Sequence, residues 1–154
     1  MRSVLFVCTG NICRSPTADG VFRKLIADAG LDVQVDSAGT HGYHIGEGPD
    51  SRTVRAARAR GYDLSPLRAR KLVIADFDRF DLILAMDRGH LEIMRRLAPV
   101  GSTAELALFT DFAPAPWRGR DVPDPYYSGA EGFVEVLDMV EAGARALLTR
   151  VTPP

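Results

Sequence analysis

Four short apolar runs along the chain have the pattern of β-strands. Residues 4–7 and 82–85 are unbroken runs of apolar side chains, which is typical of parallel strands covered on both faces. Residues 33–36 alternate apolar and polar side chains, as in a strand that is buried on one side or lies at a sheet edge, and residues 106–109 can form a fourth strand. The pattern predicts two central strands and two further strands.

Between these runs, apolar residues recur at the three- and four-residue spacing of amphipathic helices. The predicted helices cover residues 18–29 (with Gly30 placed to end the helix), 50–60, 88–97 and 133–148. Strands that alternate with helices favour a parallel sheet with right-handed crossovers. We therefore predict an α/β, flavodoxin-like fold with strand order 2-1-3-4 and helices on both faces, in which ligands bind at the carboxyl ends of the strands.

Composition narrows the class of protein further. With 154 residues, 46% of them hydrophobic and 25% charged, the chain is expected to form one domain over residues 1–154. A net charge of -1 gives no reason to expect nucleic acid as a partner. Two cysteines, with no apolar run long enough for a signal peptide or a membrane span, favour a cytoplasmic protein without a membrane partner, and a monomer is the default expectation.

The chemistry predicted from the sequence centres on residues 8–14, which read CTGNICR and follow the first strand directly. Only a thiolate is a good nucleophile, and a free thiol has a pKa of about 8.5, so a catalytic Cys8 needs positive potential around it. The backbone N–H groups of residues 9–14 and the start of the next helix can supply that potential and bind a tetrahedral anion. Arg14 can bind two phosphate oxygens in a fork that a lysine would not reproduce.

Other residues of this loop suit a tight turn. Gly10 is expected to allow a positive φ and close approach of the backbone to a ligand, and Asn11 tolerates the left-handed region. Ser15 is expected to cap the following helix and to direct its hydroxyl at Cys8, with Pro16 at the first helical position. Cys13 lies in the same loop, and its role stays open between a buried apolar residue and an oxidation partner of Cys8.

Cleavage of a phosphate ester also requires a proton donor for the leaving oxygen. Asp124 is the best candidate, because Pro125 stiffens the segment and Tyr126 and Tyr127 follow it. The two tyrosines could form a wall for an aromatic leaving group. His41 and His44, in a glycine-rich stretch, could line the mouth of the cleft, although solvated loop residues are the favoured interpretation. The sequence predicts neither a metal site nor a cofactor.

The motif around Cys8 and Arg14, together with Asp124-Pro125-Tyr126-Tyr127, resembles the low-molecular-weight protein tyrosine phosphatase family. Residues 36–40 and 80–87 agree as well. The resemblance implies metal-independent hydrolysis of phosphotyrosine in proteins or peptides, and a four-stranded parallel fold. It assigns Cys8 as nucleophile, Arg14 as phosphate ligand and Asp124 as general acid and base. The supporting residues that it implies are Asn11, Ser15 and Ser37. The other residues of the phosphate-binding loop are Thr9, Gly10, Ile12 and Cys13. The substrate cleft is expected to be lined by Ile12, Tyr43, Tyr126 and Tyr127.

Three alternatives accompany this interpretation. A protein-arginine phosphatase shares the scaffold but resembles a loop with threonine at the position of Ile12, where an apolar side chain favours an aromatic ester. A thiol-dependent arsenate reductase needs further cysteines, and none follows Cys13. A phosphate-binding module without turnover would not need Cys8, Arg14 and Asp124 together.

Overall fold

A computed structural model describes residues 2–154 and contains one parallel sheet of four strands. The strands are β1 (Ser3–Cys8), β2 (Gln34–Gly39), β3 (Leu82–Ala85) and β4 (Glu105–Leu108). Their order is β2-β1-β3-β4, with Val4 of β1 paired to Val35 on one side and to Leu82 on the other. The predicted fold class and strand order are confirmed.

Five α-helices and one 3-10 turn connect and follow the strands. They are α1 (Arg14–Asp28), α2 (Ser51–Arg58), α3 (Asp76–Arg79), α4 (Arg88–Leu97), the 3-10 turn (Phe109–Phe112) and α5 (Ala130–Val151). Gly30, with φ of 67°, follows the end of α1 as predicted. No helix within residues 2–154 is long and apolar enough to cross a bilayer.

The sheet is buried on both faces because side chains of β1 alternate between two cores. Val4, Phe6 and Cys8 face the core built mainly by α1 and α5, whereas Leu5 and Val7 face the second core under α3 and α4. All six residues of β1 are buried. The nucleophile candidate Cys8 is therefore the last residue of a fully buried central strand and lies at the carboxyl edge of the sheet.

Several element boundaries differ from the sequence-based expectation. Phe109 belongs to the 3-10 turn and not to β4, and β2 starts at Gln34 and continues to Gly39. Helix α1 starts at Arg14, four residues earlier than its apolar stripe indicates, because its first turn is fixed by the polar network of the preceding loop rather than by apolar packing.

Candidate active site

A cleft with a volume of about 290 Å³ opens at the carboxyl ends of the strands. Its lining comes from the loop after β1, the loop after β2 and the segment before α5: Cys8, Thr9, Gly10, Ile12, Cys13, Arg14, Tyr43, His44, Asp124, Tyr126 and Tyr127. The sheet thus brings together residues that are more than a hundred positions apart. The structure places Asn11, Ser15 and Ser37 behind the lining, where they contact one another.

The backbone of the loop after β1, residues 8–15 and hereafter the phosphate loop, presents unpaired donors. Within residues 2–154, the backbone N–H groups of residues 9–13 donate to no protein acceptor, although Asn11 and Cys13 are buried. Buried N–H groups without a partner are rare in folded proteins. Several such donors in succession, next to the start of α1, form a site suited to a tetrahedral anion.

Asn11 holds this conformation through its side-chain amide. Its Oδ1 accepts the backbone N–H of Arg70 at 3.0 Å, which fixes the orientation of the amide. Its Nδ2 then donates to the Ser15 Oγ at 2.8 Å and to the Ser37 Oγ at 2.9 Å. Because Ser15 accepts from Asn11, its one hydrogen can be donated to the Cys8 Sγ at 2.9 Å or to the Ala38 carbonyl at 3.5 Å, and the contact with Cys8 is much the shorter.

Two details of the phosphate loop correct the sequence-based prediction. Asn11, with φ of 59°, is the only non-glycine residue of the described chain with positive φ, whereas Gly10 does not have positive φ. The absent side chain of Gly10 matters for another reason, since a Cβ there would lie 3.0 Å from the His44 Cδ2. Ser15 makes no cap hydrogen bond: Cys13 is the N-cap residue, and Pro16 occupies the third helical position.

Arg14 is buried, and its guanidinium is held on one side. Nη1 donates to the Asp87 Oδ2 at 2.8 Å and to the Val122 carbonyl at 3.1 Å, which uses both of its hydrogens. The other terminal nitrogen faces the Thr9 Oγ1 at 3.3 Å and the Asp124 Oδ2 at 3.8 Å. The edge formed by Nε and Nη2 therefore remains for a bidentate contact with phosphate oxygens.

Asp87 was not singled out as a site residue from the sequence. It follows β3, caps α4 by accepting the His90 backbone N–H at 3.0 Å, and pairs with Arg14. Burial raises the pKa of Asp87, but the hydrogen bond from His90 and the Arg14 guanidinium outweigh burial and leave the pKa below its usual range. A polar residue directly after a strand next to β1 is the signal that could have identified it.

His90, also not predicted, is buried behind Thr9. Its Nδ1 accepts the Asp87 backbone N–H at 3.3 Å, and its Nε2 lies 2.8 Å from the Thr9 Oγ1. Burial and the charge of Arg14 lower the pKa of His90 to about 4. The imidazole is therefore neutral near pH 7, with its hydrogen on Nε2, and it donates to Thr9.

The segment Val122–Gly129, hereafter the aspartate loop, forms the opposite wall. Asp124 is about half exposed, and its Oδ1 accepts the Tyr126 backbone N–H at 3.1 Å. Tyr126 packs edge-to-face on Tyr127, with ring centroids 4.9 Å apart. The Arg52 guanidinium lies 5.3 Å from the centre of the Tyr126 ring and 4.7 Å from that of Phe133, which fixes Tyr126 from behind.

The two cysteines are free thiols in different surroundings. Burial is the main cause that raises the pKa of Cys13 to about 12, so this side chain remains a neutral thiol at physiological pH. Cys8 instead faces the Ser15 hydroxyl at the floor of the cleft. His44 lines the cleft, which is the alternative to the favoured prediction of a solvated loop residue, and its Nδ1 lies 2.8 Å from the Glu47 Oε2.

No group of three or more His, Cys, Asp or Glu side chains within residues 2–154 is placed to hold a metal ion. The groups available for chemistry at the cleft include the thiols of Cys8 and Cys13, the Arg14 guanidinium, the exposed Asp124 carboxyl and the backbone donors of the phosphate loop. This set defines a site for a tetrahedral oxyanion with a nucleophile beneath it.

Comparison with known proteins gives the same class. Residues 3–153 match the model of the low molecular weight phosphotyrosine protein phosphatase family. A low molecular weight protein-tyrosine-phosphatase from Streptomyces coelicolor is 51% identical over 152 residues, which cover 96% of this chain and 92% of the relative. The chain belongs to this family, and the predicted enzyme class, a protein-tyrosine phosphatase, is confirmed with it.

Solved structures agree with this assignment. A protein tyrosine phosphatase from Entamoeba histolytica superposes with a TM-score of 0.91 at 37% identity and covers 97% of this chain and 96% of its own. A drosophila arginine phosphatase superposes with a TM-score of 0.89 at 29% identity and covers 99% of both chains. The shape of the backbone therefore does not separate the two substrate classes.

Proposed function

We propose that this chain acts as a single phosphatase domain that hydrolyses phosphotyrosine in proteins or peptides through a phosphocysteine on Cys8. The observation that carries the proposal is the position of the Cys8 sulfur at the floor of a cleft whose rim holds unpaired backbone N–H groups and the free edge of Arg14. The motif and the family membership support the same assignment. Free thiols at both cysteines are consistent with work in a reducing cytoplasm.

In the first step, the Cys8 thiolate attacks phosphorus and the bond to the tyrosyl oxygen breaks. The hydroxyl of Ser15 donates a hydrogen bond to the sulfur and holds it at the floor of the cleft. The phosphate-loop N–H groups and Arg14 bind the equatorial oxygens, whose charge they stabilise as the phosphoryl group is transferred. Asp124, at the cleft wall, gives its proton to the leaving oxygen, so tyrosine departs neutral.

In the second step, the carboxylate of Asp124 accepts a proton from water, and that water attacks the phosphocysteine. The sulfur–phosphorus bond breaks, inorganic phosphate leaves, and Cys8 returns as a thiolate. The same carboxyl therefore serves as acid and then as base. Its exposure of 53% suits a group that must exchange protons with solvent between the two steps.

The aromatic wall supports the choice of phosphotyrosine. Tyr126 and Tyr127 stand beside the acid, and Ile12 and Tyr43 complete an apolar entrance of the cleft. An aromatic ring of the substrate can stack in this entrance while its phosphate reaches Cys8. The shorter side chain of phosphoserine has no ring to contact the tyrosines when its phosphorus is at Cys8. Ile12 offers no polar group to a cationic phosphoguanidine.

The test compares phosphotyrosyl, phosphoseryl and phosphoarginyl peptides of one sequence on the wild-type protein and on Cys8→Ser. We expect turnover of the phosphotyrosyl peptide and a loss on the order of 10⁴-fold or more in Cys8→Ser, as for removal of other catalytic nucleophiles. Cys13→Ser is the matched control and is expected to retain most activity. Faster turnover of the phosphoarginyl peptide would make the chain an arginine phosphatase instead.

A rapid acid quench tests the intermediate directly. With a radiolabelled phosphotyrosyl peptide, we expect label on Cys8 in the wild-type protein and none in Cys8→Ser. Product formation without a labelled cysteine would contradict the two-step mechanism. A chelator is expected to leave the rate unchanged.

A further inference from the structure

Behind the phosphate loop, Asp87, His90 and Thr9 form a continuous hydrogen-bonded chain that the two-step mechanism does not use. It runs from the start of α4 to the edge of the cleft and joins residues that are 81 positions apart in the chain, namely Thr9 and His90. His90 is buried, yet both of its ring nitrogens have partners. A buried histidine with partners at both ring nitrogens, next to a hydroxyl that lines the cleft, is placed to orient that hydroxyl.

Hydrogen accounting along this chain fixes the direction of each bond. The His90 Nδ1 accepts from the Asp87 backbone N–H, so the imidazole hydrogen resides on Nε2 and is donated to the Thr9 Oγ1. Arg14 donates to the same oxygen at 3.3 Å. Both lone pairs of the Thr9 hydroxyl are therefore occupied, and its single hydrogen must be donated elsewhere.

Within residues 2–154 the Thr9 hydroxyl has no partner besides His90 and Arg14, and Thr9 lines the cleft together with Cys8 and Arg14, so the hydrogen is available to a ligand there. We propose that the Thr9 hydroxyl donates a hydrogen bond to a phosphate oxygen bound in the cleft, and that His90 is the positioning residue that orients this hydroxyl. This inference rests on the proposed phosphatase function. It adds a side-chain donor to the backbone donors of the phosphate loop, next to the fork of Arg14.

Four groups facing His90 determine whether this arrangement holds as pH changes. They are Arg14, Asp87, Asp124 and His41. A proton added to Nδ1 would be attracted by the Asp87 Oδ1, 3.1 Å away, but it would oppose the Asp87 backbone N–H, and it would place a second positive charge beside Arg14. The chain of bonds therefore requires the neutral ring, with Nε2 protonated.

A double-mutant cycle with Thr9→Val and His90→Gln tests the proposal, with p-nitrophenyl phosphate as substrate and inorganic phosphate as competitive inhibitor. Because a hydrogen bond to a charged group is lost, we expect Thr9→Val to lower kcat/KM and weaken phosphate inhibition by about 10- to 100-fold. Thr9→Ser is expected to restore most of both. His90→Gln should have a clear effect alone and almost none in the Thr9→Val background, because it acts through Thr9.

A purely structural His90 would give equal effects in both backgrounds, and that result would overturn the proposal. Unchanged phosphate inhibition in Thr9→Val would overturn it as well. In the wild-type protein, ¹⁵N NMR of the imidazole should show Nε2 protonated and Nδ1 unprotonated at pH 7, and the opposite tautomer would reverse the Thr9 bond and contradict the assignment. Glu92→Gln, which changes an exposed residue of α4, is the control.

Wild-type activity separates this proposal from the proposed function. If the wild-type protein hydrolyses neither p-nitrophenyl phosphate nor phosphotyrosyl peptides, the phosphatase function fails. If it does so with a labelled Cys8 but Thr9→Val behaves as wild type, only the role of Thr9 and His90 fails.

Discussion

The phosphate loop and the aspartate loop form opposite walls of one cleft but are built in different ways. The phosphate loop is largely buried, and the side chains of Asn11, Arg14 and Ser15 all have protein partners. The aspartate loop is exposed: Tyr127 is 95% accessible, and the bonds of Asp124 and Ser128 are local. The phosphate loop is held by bonds along its whole length, whereas the aspartate loop is held by the rest of the protein mainly at Val122 and Tyr126.

This difference matches what each wall must do. An anion site works best when its donors are already in place, because no energy is then used to orient them as charge develops. An acid that also acts as base must reach solvent and bulky substrates must pass it, which exposure allows. Substitutions of Asn11, Arg14 or Ser15 in the phosphate loop should therefore change stability and turnover together, whereas those in the exposed part of the aspartate loop should change turnover alone.

Asp124→Asn should give the largest difference between the effect on turnover and the effect on stability. Loss of a general acid and base is expected to lower kcat on phosphotyrosyl peptides by about 10²- to 10⁴-fold. The free energy of unfolding should change by no more than about 0.5 kcal/mol, because the side chain is exposed. Steady-state kinetics and urea denaturation check the pair. A destabilisation comparable to that of phosphate-loop variants would remove the distinction between the walls.

Acid should weaken the phosphate loop through His90. Because the folded protein binds this proton only near pH 4 and the unfolded chain binds it near 6.5, stability is fully present above 6.5 and decreases as pH falls toward 4, by about 3 kcal/mol. Urea denaturation between pH 4 and 7.5 measures the slope. His90→Asn should flatten it and His41→Asn should not. An unchanged slope in His90→Asn would contradict the assignment.

Asn11 tests whether the phosphate loop depends on its side-chain amide or on its backbone conformation. Asn11→Ala is expected to lose about 1–3 kcal/mol of stability, since it removes the amide bonds from a residue at positive φ. Asn11→Gly also removes the amide but tolerates the conformation, so it should be less destabilised by about 1 kcal/mol. Thermal and urea unfolding compare the two. Equal losses would show that backbone strain contributes nothing.

Tyr127→Ala is expected to give the smallest effect. The ring is exposed and contacts Tyr126, so KM for phosphotyrosyl peptides should rise by a few-fold, with kcat and stability almost unchanged. Tyr126→Ala should raise KM further, because Tyr126 is also held by Arg52. A larger effect at Tyr127 than at Tyr126 would mean that the outer ring carries the substrate contact.

The fold was largely predictable because its apolar signals are local. The unbroken run of β3 and the stripe of α4 predict both elements to the residue. The cleft residues Cys8, Arg14 and Asp124 were predictable because their chemistry is rare outside such sites. Asp87 and His90 were not, since their roles arise only where β3 meets Arg14 across the sheet.

The wrong predictions for residues of the phosphate loop have a similar cause. Ser15 is a residue type that often caps helices, but here its hydroxyl bonds to Asn11 and Cys8. Gly10 has the freedom for positive φ, but the loop places that conformation at Asn11 and uses the glycine to make room for His44. Local propensity identifies which residues suit a turn, while tertiary contacts decide which of them takes each place.

The buried residue Val122 fixes one end of the exposed aspartate loop. Its carbonyl holds Arg14 and its N–H bonds to the Met86 carbonyl at 2.9 Å, so the backbone is pinned two residues before Asp124. Two residues span at most about 7 Å. The carboxyl is thus tethered to the guanidinium that binds the phosphate, and its effective concentration at the scissile oxygen stays high however freely its outer tyrosines move.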